Sequence, residues 1–433
     1  MKYYCIGIKG AGMSTLANIL SDLGNDVSGY DDTVKYKFTE EGLDKRGIKI
    51  YHEPHPIDSD TIVTYSKAFS IDHPEIKRVR ELGLTMRDYN QVVGDVTAMF
   101  ETIGVSGTHG KTTTSLLISD ILKNTVGCNY FVGDGTGYAD KKNKLFVIES
   151  DEFNKHFLAY HPTIAVITNI ELDHTECYPG GLEEIKDTFK KFGNKAEQVV
   201  ACGDDSNIRD IKFDKDVIYY GFNDNNNVVA KNVKLTDKGS EFDVYINNEL
   251  FDSYELPLFG KHMILNALAS IIIANRYNIN KEDIKKYISG FKGAKRRFKE
   301  EDISGYIIID DYAHHPTEIE VTIAAAKQKY PDKEIVAVFL PNTYSRTEAL
   351  MDDFVKALTK ADKAYIMDIY CDRERQSDYP SVNSDALIKR IKNSEKISID
   401  TVDKLLKHKG SVICFMSCTN IYLILDEFKK RIR

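Results

Sequence analysis

The stretch Val105-Ser106-Gly107-Thr108-His109-Gly110-Lys111-Thr112-Thr113-Thr114 carries the residue types that phosphate chemistry needs, in the order it needs them. Its glycines let backbone N–H groups converge on phosphate oxygens. Lys111 adds a point charge towards the outer phosphates, and the Thr112 hydroxyl can hold Mg²⁺ at a helix N-terminus. The apolar run Thr102-Ile103-Gly104-Val105 predicts a strand before the loop, and the apolar spacing of Ser115 to Leu122 predicts a helix after it. A Gly-Lys-Thr turn without that context is an ordinary loop, and Val105 stands where the common G-x-x-x-x-G-K-[ST] form has its first glycine. Flanked as it is, the loop from Gly107 through Thr108, His109, Gly110, Lys111 and Thr112 to Thr113 reads as a triphosphate cradle.

Other candidate groups sit at strand ends. The apolar run Lys144 to Ile148 ends in Glu149-Ser150-Asp151-Glu152, and Ile164 to Ile167 runs out into Thr168-Asn169-Ile170-Glu171-Leu172-Asp173-His174. A hard cation such as Mg²⁺ prefers oxygen, so Glu149 is the better ligand and His174 the weaker one. Taken singly, each of these acids is equally an exposed loop carboxylate. Near the amino terminus, Gly7, Gly10 and Gly12 lie in a strand-to-helix turn, and Asp31 ends the next strand about nineteen residues later, where a dinucleotide fold places its ribose-binding acid. The spacing departs from G-x-G-x-x-G, which argues against a nicotinamide oxidoreductase. Ser66 also ends a strand. The basic turn Lys295-Arg296-Arg297 suits a phosphate or carboxylate, although such runs are commonly solvated. Adjacent His314-His315 point apart on an extended chain and find no third ligand at suitable spacing, so they read as hydrogen-bonded loop histidines.

The elements that must position these groups alternate between strand and helix throughout. At 433 residues the chain is too long for one ordinary core. The reading is α/β with three domains: a Rossmann-like unit over 1–98, a P-loop ATPase-like unit over 99–297 and a Rossmann-like unit over 298–433. Within the second, the Asn-rich turn at 223–227 and the alternating runs at 241–246 and 254–258 predict a small antiparallel β insertion. In the third, strands are expected at 306–311, 335–340, 364–370 and 412–416, and helices at 347–358 and 386–391. A net charge of −8 argues against a nucleic-acid or membrane-surface binder. Seven cysteines without ligand spacing predict free thiols in a reducing cytoplasm. The first residues already read as a strand rather than a signal peptide, and no apolar run reaches about 18 residues, so a cytoplasmic protein is expected.

Taken in order, Gly7 to Ser14, Ser106 to Thr114, Thr168 to Glu171 with Asp173-His174, Gly260-Lys261-His262, Lys295 to Phe298, Asp310 to Glu318 and Thr343 to Thr347 resemble the Mur ligases of bacterial cell-wall synthesis. The likeness covers nearly the whole chain in the family's three-domain order. Within the family it is similar to the branch that joins L-alanine to UDP-N-acetylmuramate. The resemblance implies that ATP phosphorylates the lactyl carboxylate and that the amine of L-alanine attacks the acyl phosphate, releasing ADP and phosphate. It implies that Lys111, His174 and Arg346 serve the chemistry, and that Thr112, Glu149 and His174 hold Mg²⁺. Asn266, Arg297 and Asp311 would reach ATP from the hinge and third domain. Gly10, Ala11, Gly12, Met13, Ser14, Asp31 and Ser66 would take the UDP sugar.

The chain departs from the family pattern at Lys9, where glycine is usual, and at Glu149 to Asn154. It departs again at Asn342, and at Ser417-Cys418-Thr419-Asn420, where a glycine-rich turn is usual. The third-domain departures leave two further readings open: a ligase of the same family that adds a murein peptide, and a non-catalytic nucleotide-binding regulator. The family's modified central-domain lysine has no convincing counterpart among Lys186, Lys190 and Lys191.

Overall fold

A computed structural model describes residues 1–66, 69–371 and 374–433. Each of three sheets grows from the apolar runs that the sequence marks as strands. The first comprises β1 (Lys2–Ile6), β2 (Asp26–Tyr30), β3 (Lys49–Tyr51), β4 (Thr61–Tyr65) and β5 (Thr85–Asp88), all parallel in the order β3-β2-β1-β4-β5. The order reverses at β1, so the turn Gly7–Gly12 leaves the sheet at its switch point, where open α/β sheets bind ligands.

The second sheet has ten strands: β6 (Glu101–Ser106), β7 (Cys128–Val132), β8 (Thr136–Tyr138), β9 (Leu145–Glu149), β10 (Ile164–Ile167), β11 (Gln198–Cys202), β12 (Val217–Gly221), β13 (Val228–Thr236), β14 (Gly239–Ile246) and β15 (Glu249–Leu256). Their order is β15-β14-β13-β12-β11-β10-β6-β9-β7-β8. β6 lies between β9 and β10, which makes it a second switch point, and the phosphate loop starts where it ends. The expected antiparallel strands are present. They continue the main sheet, because β13 pairs parallel with β12 before β14 and β15 turn back.

The third sheet comprises β16 (Lys299–Ile303), β17 (Tyr306–Asp311), β18 (Ile335–Phe339), β19 (Lys363–Ile366), β20 (Ser394–Lys396) and β21 (Val412–Met416), in the order β16-β17-β21-β18-β19-β20. Apolar clusters cover both of its faces, as a doubly wound sheet requires. Three local expectations differ. The strand expected at 364–370 ends at Ile366, after which Met367 N–H turns to the Phe339 carbonyl. The helix expected at 347–358 is two, Tyr344–Ala349 and Met351–Leu358, broken at Leu350 (φ −116°, ψ 22°). The helix expected at 386–391 is Ser384–Ile388, started by the Asn383 side chain accepting from Ala386 N–H.

The first two sheets share one apolar core. Leu16, Ile19 and Leu20 of the helix Ala11–Asp22 belong to the same buried cluster as Val105, Leu117, Phe131 and Ile148. Among the described residues no helix is long and apolar enough to cross a membrane.

Candidate active site

Two glycines shape the phosphate loop. Gly107 has φ 144°, and a Cβ there would lie 2.0 Å from Thr168 Oγ1. Gly110 has φ 83° and precedes the helix Lys111–Lys123, with Asn266 Oδ1 2.8 Å from where its Cβ would be. Lys111 Nζ curls back over the loop, donating to the carbonyls of Gly107 (2.6 Å) and Thr108 (3.2 Å) and to Glu152 Oε1 (2.8 Å). Burial opposes its charge, but Glu152 and Asp151 more than restore it, so its pKa lies above the ordinary lysine value. Thr112 Oγ1 donates to Glu149 Oε1 at 2.9 Å, and Gly133 N–H donates to Glu149 Oε2 at 2.8 Å. Burial lifts the Glu149 carboxyl above its usual range, against the opposing charge of Lys111. A half-buried carboxylate beside a threonine hydroxyl fits a hard divalent cation, which would compensate that charge.

His174 stands close by in left-handed backbone (φ 52°), its ring edge-on to Phe153 at 5.0 Å. Burial lowers its pKa, but Glu176, Asp173 and Glu152 raise it more. The structure therefore joins Thr112 to Glu149 directly, whereas His174 makes no described contact with either. Arg346 reaches across from the third sheet's layer: its Nε and Nη2 both lie 2.9 Å from Asp173 Oδ1, in a pair buried on both sides. Burial opposes ionisation of Asp173, but the Arg346 guanidinium holds its carboxyl far below the usual range.

A second ionic group links the phosphate loop to the third unit. His109 Nε2 lies 3.2 Å from His315 Nδ1 and 3.6 Å from Glu171 Oε2, and His109 Nδ1 lies 3.4 Å from Glu318 Oε1. Burial disfavours its charge, yet Glu318 and Glu171 push the His109 pKa up to about 9. His315, buried beside that cation, is lowered to about 4. Glu318 also accepts from Arg297 Nη1 at 3.1 Å and from His314 N–H at 3.0 Å. The expectation that the histidine pair lacks further ligating partners is thus corrected. His109 and Glu171 come to His315 from the central unit, through a docking that no local spacing records. His315 is at the same time the capping residue of the helix Pro316–Lys329, which suits its expected role as a hydrogen-bonded loop histidine.

Asn266 sits against Gly110. Asp311 uses both carboxylate oxygens on backbone, accepting from Phe298 N–H (2.7 Å) and Ala313 N–H (2.8 Å), and burial lifts its pKa to about 6. Two of the three cations in the basic turn are turned inward, Arg296 donating to the Ser417 carbonyl at 3.0 Å and Arg297 holding Glu318, while Lys295 stays exposed.

A cleft of about 830 Å³ opens between the first two sheets, lined by Gly10, Ala11, Gly12, Met13 and Ser66 on one side and by Glu149 and Asp151 on the other. Ser14 and Asp31 do not line it. The Ser14 hydroxyl donates to the Ala11 carbonyl (3.0 Å), and Asp31 accepts from the N–H groups of Lys9 and Thr33 (3.0 Å each), so both brace the turn from behind. The unusual Lys9 is buried in a salt bridge to Glu40 (3.0 Å) and donates to the Thr33 carbonyl (2.6 Å).

With this geometry in hand, the likeness to known proteins is informative. Residues 2–101 match the Mur ligase family catalytic domain, 105–274 the Mur ligase middle domain and 296–417 the Mur ligase glutamate ligase domain. The UDP-N-acetylmuramate–L-alanine ligase of Limosilactobacillus reuteri is 40% identical over 433 residues, covering 100% of this chain and 99% of its own. That of Lactiplantibacillus plantarum is 42% identical over 426 residues, covering 97% and 96%. The chain belongs to the Mur ligase family. Among solved structures, the Thermotoga maritima UDP-N-acetylmuramate–alanine ligase superposes with a TM-score of 0.80 at 26% identity, covering 100% of this chain and 99% of its own. A murein peptide ligase from Psychrobacter arcticus shares the fold, with a TM-score of 0.71 at 22% identity and coverage of 100% and 98%.

In this Mur ligase the residues that sequence reasoning missed are Glu318, which faces Arg297, His109 and His314 and accepts from the N–H groups of His314 and His315, and the cleft residues Tyr89, Asn154 and His156. Glu318 closes the run Asp310 to Glu318, where an acid just after two histidines is a local signal. Nothing local marks the other three.

Proposed function

We propose that this Mur ligase uses ATP to join L-alanine to UDP-N-acetylmuramate, the reaction for which its full-length relatives at 40% and 42% identity are named. The observation that carries the reading is the cleft in which the first unit's Gly10–Met13 turn faces Glu149, beside the phosphate loop. A sugar nucleotide held on the first switch point would present its carboxylate towards a triphosphate held on the second. Residues 1–98 hold the UDP sugar, 99–297 hold ATP, and 298–433 close over both and receive the amino acid. Gly10, Ala11, Gly12, Met13 and Ser66 contact the UDP sugar, with Ser14 and Asp31 setting the shape of that turn. Gly107 to Thr113 cradle the phosphates, and Asn266, Arg297 and Asp311 complete the ATP site. Thr112 and Glu149, with His174, would hold Mg²⁺, which supplies charge neutralisation on the phosphates.

Lys111 is already desolvated and charged, and it exchanges its contact with Glu152 for the outer phosphates. A carboxylate becomes a good electrophile only when one oxygen is a phosphate leaving group, so the protein's task is positioning and charge neutralisation. Arg346, fixed by Asp173, lies where the third unit meets the central one and orients the incoming substrates. The reaction takes place in the cytoplasm.

The substituted turn at 417–420 is a built element: Ser417 Oγ donates to the Leu340 carbonyl at 2.9 Å, and Thr419 N–H donates to Ser417 Oγ at 3.1 Å. Its integrity favours an active enzyme over a degenerate regulator. The deciding assay is phosphate release from ATP with UDP-N-acetylmuramate and each amino acid or the murein tripeptide. L-alanine is expected to support release. Release with the tripeptide alone would assign the peptide-adding reaction, and no release with any acceptor would assign the regulator.

A further inference from the structure

His109, Glu171 and His315 face one another with their ligating atoms at the corners of a nearly equilateral triangle. The edges are 3.2 Å (His109 Nε2 to His315 Nδ1), 3.4 Å (His315 Nδ1 to Glu171 Oε2) and 3.6 Å (His109 Nε2 to Glu171 Oε2). A tetrahedral ion with arms of about 2.0–2.1 Å separates its ligands by about 3.3–3.4 Å. The triangle therefore already has the dimensions of three ligands around one zinc-sized ion. We propose that these three side chains form a metal site separate from Thr112 and Glu149, that it takes a borderline divalent ion of the zinc class, and that filling it ties the third unit to the phosphate loop.

The donor set supports the choice of ion. Two imidazoles and one carboxylate suit Zn²⁺ or Co²⁺, whereas Mg²⁺ prefers oxygen alone. Outer partners are in place as well. Behind His109, the Glu318 carboxylate lies 3.4 Å from Nδ1, the position from which a carboxylate orients a ligating histidine. Thr317 Oγ1 donates to Glu171 Oε2 at 2.6 Å and fixes that carboxylate. Both histidine side chains are nearly buried, at 11% and 4% exposure, while Glu171 at 30% leaves a fourth position open towards solvent. Two ligands come from the central unit and the third is His315, the cap of the helix Pro316–Lys329, whose Nδ1 would exchange its long contact with Thr317 N–H (3.4 Å) for the ion, so the site is complete only when the units are docked.

The test uses the full-length protein in excess Mg²⁺ without nucleotide, titrated with Co²⁺. One equivalent is expected to give the intense visible absorption of a four-coordinate centre and to be displaced by Zn²⁺. His109→Gln, Glu171→Gln and His315→Asn should each lose the band, while His314→Gln and Glu149→Gln keep it. Weak six-coordinate absorption, or a band that survives His315→Asn, would overturn the proposal. Zinc-soaked crystals of the unaltered protein decide the matter without relying on a variant that folds. An anomalous peak bonded to all three side chains is expected, and a peak at Thr112 and Glu149 instead, or none, would refute the site.

Discussion

At the scale of single residues, Lys111 and His262 make the sharpest claims. Lys111 folds its ammonium back over the carbonyls of Gly107 and Thr108, and a positioned charge of that kind contributes about 10²–10³ in rate. Lys111→Ala should therefore lower phosphate release at least ~100-fold while calorimetry still detects UDP-sugar binding, because the side of the cleft proposed for the sugar is built from Gly10 to Met13 and Ser66. Loss of both together would move the sugar site onto the loop. His262 is buried, and burial, followed by the charge of Arg297, lowers its pKa to about 4, with Glu318 and His109 also facing it. The unfolded chain takes up a proton as pH falls through 6.5, whereas the folded one resists until about 4. Stability from this group is therefore complete above 6.5 and declines towards 4, by roughly 3 kcal/mol in all. Urea denaturation of the wild type and His262→Gln should show a difference that shrinks across that window. The opposite tendency of Asp311, raised to about 6, is common to both proteins and cancels. A pH-independent difference would contradict the assignment.

At the scale of elements, the helix Tyr344–Ala349 is held to the loop after β10 by the buried Arg346–Asp173 pair. Removing one member of a buried pair strands the other charge and costs about 3–5 kcal/mol. Arg346→Met and Asp173→Asn should each speed hydrogen exchange in residues 343–350, and the double variant should be no worse than the more severe single one. Additive effects would show that the two act separately. The elements were legible where pattern is local: the phosphate loop, its strand and its helix lie within about twenty residues. The early end of β19 was not, because it follows from the bond of Met367 N–H to the Phe339 carbonyl of β18, and no local pattern marks the helix break at Leu350.

At the scale of the whole molecule, the first unit closes only one face of its sheet by itself, with Tyr4, Ile6, Val63, Ile76, Val79 and Leu84, and leaves the other to the second unit. The helix Ala11–Asp22 packs on β7 and β8, and its Leu16, Ile19 and Leu20 are buried in the cluster shared with the second sheet. A fragment of residues 1–98 should consequently show weak near-UV circular dichroism and aggregate, whereas 1–297 should be well ordered. An independently stable 1–98 fragment would refute this shared-core account. The shared core also holds the Gly10–Met13 turn at a set distance from the Gly107–Thr113 loop. The third unit, in contrast, docks through discrete polar contacts such as Thr317 to Glu171 and Gln328 Oε1 to Gly260 N–H (2.8 Å). By itself the sequence determined the three alternating α/β segments, the phosphate cradle and the family, because periodicity, glycine placement and capping act between near neighbours in the chain. Only the tertiary structure decided that Asp31 and Ser14 brace the Gly7–Gly12 turn rather than line the cleft beside it, and that Arg346 pairs with Asp173. It alone showed that His109 meets His315 across 206 residues. The Arg346–Asp173 and His109–His315 pairings depend on how the third sheet docks on the second, and groups that meet across such distances leave no mark on the residues beside them.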